Sequence, residues 1–114
     1  MKMNKQYLDQ VLLDELRSIL EDEFPVVVAT YLQDSSLRVH ELQQAFDRGD
    51  TAAVRKVAHS LKGSSANLGL IYLAELCCAL EDAAREGSLA GQEANMILIR
   101  QEQEHATVLL HERV

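Results

Sequence analysis

The chain has little that bends or interrupts a helix: one proline and five glycines in 114 residues, and nothing resembling a Gly-rich or Pro-rich linker. So few punctuating residues leave long periodic stretches, and the composition points to an all-α protein. Tryptophan is absent and aromatics make up only 4% of the chain, so there is no stacking platform for bases. A net charge of −7 also lacks the broad basic surface that nucleic acid or an anionic membrane requires. No apolar run approaches the roughly 20 residues of a membrane span, and MKMNKQYLDQ has no signal-peptide core. The expectation is a cytoplasmic protein. The two cysteines, Cys77 and Cys78, are adjacent, which is neither a metal-ligand spacing nor a disulfide framework.

What is present is apolar periodicity. Leu8, Leu12, Leu16, Ile19 and Leu20 predict an amphipathic helix from about Tyr7 to Glu23, in one piece or two, with Asp9 as a cap. Phe24-Pro25 breaks it, and Pro25 suits the first turn of a new helix. There, Val28, Leu32, Ser35, Val39, Leu42 and Phe46 are spaced 4, 3, 4, 3, 4, widened by Tyr31 and Ala45. A stripe of period 3.5 implies the shallow crossing angle of a helical bundle. Ser35, small and inside this seam, is read as bonding to its own helix backbone.

Gly49 suits a left-handed helix stop, and Asp50 or Thr51 the next N-cap. A third helix then runs from about Thr51 to Asn67, buried along Val54, Val57, Ala58, Leu61, Ser65 and Leu68. A fourth spans Leu70 to Glu86 with Leu73, Leu76, Cys77, Leu80 and Ala84 inward, and Gly87 ends it. The last, from about Leu89 to Glu112, turns Met96, Ile99, Ala106, Leu109 and Leu110 inward and leaves Arg100, Glu102 and Glu104 solvated; Ser88 is a candidate cap. Short links imply antiparallel neighbours. Residues 1–114 therefore read as one unit, an up-down-up-down four-helix bundle with an additional N-terminal helix over one end.

His59 does not belong to the buried stripe of its helix. It points about 150° from the stripe's centre, beside Gly63 one turn on and Ala66 two turns on. Gly63 in a helix interior costs roughly 0.5–1 kcal/mol against Ala, a cost that close approach by another backbone beside His59 would explain. Residues 51–70 contain Arg55, Lys56 and Lys62 and no acid, whereas the other eight of eleven bases share the rest of the chain with all eighteen acids. Such a basic island favours a small anion and an acidic partner. His40, His105 and His111 are scattered, form no ligand pair, and read as surface residues.

The run AHSLKGSSANLG, carried by Ala58, His59, Leu61, Lys62, Gly63, Ser64, Ser65, Asn67 and Gly69, resembles the signature of histidine-containing phosphotransfer domains. Gly49-Asp50 before it and Leu80-Glu81 with Arg85-Glu86-Gly87 after it extend the resemblance over most of the chain. It implies a carrier of phosphoryl groups in a multistep two-component phosphorelay. His59 accepts phosphate from the aspartate of a receiver domain, as in a hybrid sensor kinase, and passes it to the aspartate of a response regulator. The resemblance also implies Nε2 as the reacting atom, a choice the residues alone do not make.

Lys62, on nearly the same face, is assigned to the phosphoryl oxygens, and Arg55, Lys56, Gly63 and Ala66 to the partner. The chain has no P-loop, nucleotide loop or kinase constellation, and no acidic metal cluster is expected around His59. It is thus read as a carrier without ATP or metal site of its own, the magnesium residing on the receiver partner. A monomer suffices. The competing reading is a helical docking module in which His59 is only an interface side chain.

Overall fold

The computed structural model describes residues 7–114. Five α-helices run through them: α1 (Gln10–Leu20), α2 (Phe24–Asp47), α3 (Thr51–Asn67), α4 (Ile71–Arg85) and α5 (Glu93–His111). Helices α2 to α5 form the antiparallel up-down-up-down bundle, each packed on its sequence neighbour, with α5 closing the ring against α2. The α1 helix lies over the end that gathers the start of α2, the α3–α4 turn and the chain's C-terminus. Asp9 N–H donates to Gly69 C=O at 2.7 Å, Arg113 donates to Asp14 at 3.2 Å, and Arg17 donates to the Arg113 carbonyl at 3.1 Å.

Local chemistry sets the boundaries. Asp9 caps α1 by accepting from Leu12 N–H at 3.0 Å, and Asp50 caps α3 by accepting from Ala53 N–H at 3.1 Å. Gly49 takes φ +68° between α2 and α3, the left-handed stop its sequence position predicts. Gly69 combines φ +76° with a close approach: a Cβ there would lie 3.0 Å from the Asp9 carbonyl oxygen. Only glycine admits both.

The first break falls earlier than expected. Glu21, at φ 50°, ends α1, and a 3₁₀ turn over Glu21–Glu23 leads into α2, where Pro25 occupies the first turn. Because α1 rests on the bundle's end, it buries a narrow stripe: Leu13 is buried, Leu8, Leu12, Leu16 and Leu20 are half-buried, and Ile19, expected inside, is exposed. In α2 the buried face is centred on Val28, Tyr31, Ser35, Val39, Leu42 and Ala45, which leaves Leu32 and Phe46 at its edge.

The core otherwise holds Val54, Ala58, Leu61, Leu68, Leu73, Leu76, Cys77, Leu80, Ala84, Met96, Ile99, Ala106 and Leu110, with Val57 and Leu109 half-buried. The start of α5 is also corrected. Gly91 at φ +80° holds the chain in a turn, Gln92 precedes the helix without a side-chain cap, and Ser88 accepts instead from Ala90 N–H at 3.2 Å. Arg100 and Glu104 are exposed as read, while Glu102 is half-buried, with His105 Nδ1 3.3 Å from its carboxylate. His105 itself is half-buried against Tyr7, ring centroids 5.1 Å apart.

Candidate functional site

The α3 stripe of Val54, Ala58, Leu61 and Ser65 is drawn into the core by α2 and α4, which turns His59 outward near the middle of the helix. Its side chain keeps 68% of its accessible surface. Gly63 and Ala66 continue the exposed face, and a Cβ built at Gly63 would meet nothing within 4 Å. The bundle therefore does not require this glycine.

Across the α3–α4 seam stands a residue to which sequence reading gave no role. Glu81 lies on the inner side of α4, four residues after Cys77 and next to Leu80, and only 4% of its side chain is accessible. Its Oε2 is 2.8 Å from His59 Nδ1, and its Oε1 accepts from Lys62 Nζ at 2.6 Å. Arg85 Nη2 donates to Oε2 at 3.2 Å, while Arg85 Nη1 donates to Asp82 at 2.7 Å. The expected purely basic neighbourhood is thus corrected: a nearly covered carboxylate sits at its centre. The signal was an acid in register with the apolar column Leu73, Cys77 and Ala84.

The electrostatics follow from this arrangement. Burial by itself would raise the Glu81 carboxyl, but hydrogen bonds from Lys62 and His59 outweigh it and hold the group below the ordinary carboxylate value. Lys62 is raised in return, chiefly by its hydrogen bond to Glu81. Glu81 is therefore ionised at neutral pH and can only accept hydrogen bonds, so Nδ1 of a neutral His59 carries the hydrogen. Which ring nitrogen is protonated is set by the bond the other makes. In that tautomer the lone pair is on Nε2.

Lys62 is thus not a free solvated cation; it and the imidazole occupy opposite oxygens of one carboxylate. Arg55 and Lys56 are exposed, and with Ala52, His59, Glu81 and Arg85 they line an open depression of about 460 Å³. Gly63 and Ala66 lie outside it, farther along α3. Ser64 Oγ donates to Leu61 C=O at 3.2 Å, and the Ser65 hydroxyl shares a 2.8 Å hydrogen bond with Tyr31. Asn67 is exposed and, with Ser64, borders an apolar groove of about 380 Å³ against α2. Among the described residues no group of three or more His, Cys, Asp or Glu is placed to hold a metal ion, and no helix is long and apolar enough to cross a membrane.

The family model described as Hpt domain matches residues 26–107. The crystal structure of histidine-containing phosphotransfer protein B from Pseudomonas aeruginosa superimposes with a TM-score of 0.90 at 37% identity, covering 96% of each chain. Multistep phosphorelay regulator 1 of Schizosaccharomyces pombe is 31% identical over 103 residues, 87% of this chain but 34% of that protein, so the chain spans about a third of its length. The Saccharomyces cerevisiae histidine phosphotransfer signaling protein, crystallised with the receiver domain of its downstream response regulator, shares the fold with a TM-score of 0.68 at 17% identity, covering 98% of this chain and 91% of that one.

Proposed function

The chain belongs to the Hpt domain family, and from that premise we propose that it carries phosphate between receiver domains, with Nε2 of His59 as the phosphoacceptor. One observation carries the reading: His59 is exposed to solvent with Nδ1 held by Glu81, which leaves Nε2 for a partner. A phosphorylated receiver aspartate brought against α3 meets the Nε2 lone pair. The Nε2–P bond forms as the P–O bond to the aspartate breaks, and the departing carboxylate keeps the electron pair. Transfer to the next receiver runs the same step with another carboxylate oxygen attacking phosphorus.

Phosphoryl transfer depends mainly on positioning and charge stabilisation. Lys62, anchored on Glu81 beside the ring, is the cation placed for the phosphoryl oxygens. Arg55 and Lys56, on the wall of the depression, meet acidic groups of the partner, and Gly63 and Ala66 give its loops room to approach. The sequence carries no nucleotide-binding motif and no acidic metal set, so in this reading the chain is a carrier and not an enzyme. The magnesium belongs to the receivers, whether of hybrid sensor kinases or of response regulators. The 114 residues act as one cytoplasmic, monomeric unit.

The test is incubation with a receiver domain phosphorylated on its aspartate. The expected product is acid-labile, base-stable label on the wild-type chain and none on His59→Gln of equal helix content. Receiver binding without label would favour the docking module instead.

A further inference from the structure

Glu81 does more here than aim a ring. A carboxylate accepts and never donates, whereas a neutral amide in its place would serve either ring tautomer, taking a hydrogen from Nδ1 or giving one to it. Resting on the relay reading above, we infer that the Glu81 carboxylate keeps the Nδ1 proton on the imidazole through the whole phosphoryl cycle, so that phosphate arrives at and leaves Nε2 with no proton transferred.

Atoms and charge balance through the cycle. When Nε2 takes the phosphoryl group, the ring becomes a cation bearing hydrogen on Nδ1 and phosphorus on Nε2, and Oε2 of Glu81, 2.8 Å from Nδ1, is its counter-charge. When the next carboxylate attacks, the N–P electron pair returns to Nε2 and the leaving group is a neutral imidazole. A phosphorylated ring that had lost its Nδ1 proton would have to leave as an imidazolate anion, which is far poorer. Holding the proton keeps the phosphate transferable in both directions.

The surroundings fit this role. The Glu81 carboxylate faces His59 and Lys62 from α3 and Arg85 from its own helix, with Asp82 drawing Arg85 from the other side. Arg55 and Lys56 of α3 line the same depression. Among the described residues, no side chain of α2 or α5 hydrogen-bonds to this carboxylate. Lys62 holds it in the ionised form, while its shielding from water strengthens its hold on the ring.

The experiment compares wild type with Glu81→Gln, both phosphorylated with phosphoramidate so that loading does not depend on a receiver. Onward transfer to one receiver is read as the ratio of the two proteins from about pH 6 to about pH 9, which cancels the receiver's own pH dependence. The variant should fall behind by about tenfold at the alkaline end and little at the acid end, the equivalent of one pH unit on the proton held. Nitrogen-15 spectra of the His59 ring should show hydrogen on Nδ1 of the phosphorylated wild type at about pH 9 and its loss in the variant.

A pH-independent ratio would overturn the inference. So would loss of the wild-type Nδ1 proton by about pH 9, a readout that stands even if Glu81→Gln does not fold. Should phosphorylated receivers fail to label His59 at all, the relay reading falls instead, and the spectra of the phosphoramidate-loaded protein still decide the fate of the proton.

Discussion

Two polar networks sit within a few turns of each other and obey different rules. At the α3–α4 seam, His59, Lys62 and Arg85 converge on the Glu81 carboxylate, which is nearly covered while its partners reach solvent. Inside the bundle, Tyr31 on α2 and Ser65 on α3 share one hydrogen bond, while Gln103 on α5 donates at 3.2 Å to Ser35, whose hydroxyl in turn donates to Leu32 C=O. The inner groups are neutral. Burial pushes the Tyr31 hydroxyl up to about 12, with its hydrogen bond to Ser65 only partly opposing the shift. The Cys77 thiol is likewise pushed up to about 12 by burial.

The difference teaches where this fold tolerates charge. A buried ion cluster is costly to desolvate, so the charged network lies at the edge, where water still reaches the cations and the His59 ring is exposed. Neutral hydroxyl and amide pairs satisfy their hydrogen bonds at little net cost or gain. They can therefore set how α2, α3 and α5 pack without offering any chemistry.

The largest expected separation of the two regions comes from the outer face. Gly63→Glu should keep the helix content, since the position opens to solvent, yet reduce transfer from a phosphorylated receiver on the order of a hundredfold by holding the partner off the ring. Gly63→Ala, tolerated by the same open space, should stabilise the protein by about 0.5–1 kcal/mol. Normal transfer by a folded Gly63→Glu protein would reject docking over this face.

Tyr31→Phe reverses the pattern. Loss of the buried hydrogen bond to Ser65 should cost about 1 kcal/mol in urea unfolding and leave the initial rate of His59 labelling unchanged. A rate loss greater than the stability loss explains would mean that the inner network reaches the ring.

The pH response should separate the networks next. Glu81 titrates below its ordinary value of 4.5, so its contribution to stability is complete above that value and is lost as pH falls through the lowered folded-state value. Lys62 titrates above 10.5, so its contribution is complete below that value and is lost as pH rises through the raised one. Melting temperatures of wild type and Glu81→Gln should differ most between these limits and converge in acid. Convergence should not occur for wild type against Tyr31→Phe, because neither inner hydroxyl titrates there.

The smallest effect belongs to Gln103→Leu. Ser35 retains its bond to Leu32 C=O, and an apolar side chain of similar size replaces the amide, so stability should stay within about 1 kcal/mol. A larger loss, measured by the same urea unfolding, would assign the amide a part in fixing α5 against α2.

Much of this was legible in the chain. Asp9 and Asp50 cap where their positions before apolar runs predict, Gly49 adopts the left-handed stop, and the α3 stripe that excludes His59 is the buried one. The Ile19 expectation failed because periodicity ranks the faces of a helix without saying how wide the contact will be, and α1 meets only a bundle end. Gln103 was readable but missed: Met96, Ile99, Gln103, Ala106 and Leu110 follow spacing 3, 4, 3, 4, with an amide at an inward position. Glu81 was harder. Its own helix marks it only as an acid in a buried column.

The sequence by itself determined the helices, their order and the outward setting of His59, because these depend on local propensity and on which side chains along one helix prefer water. Tertiary structure decided which nitrogen of His59 is free, that Lys62 is held, and that Arg85 joins the same carboxylate. Those outcomes turn on how α3 and α4 are rotated against each other, and a hydrogen bond between residues 22 positions apart is decided by the packing of the whole core.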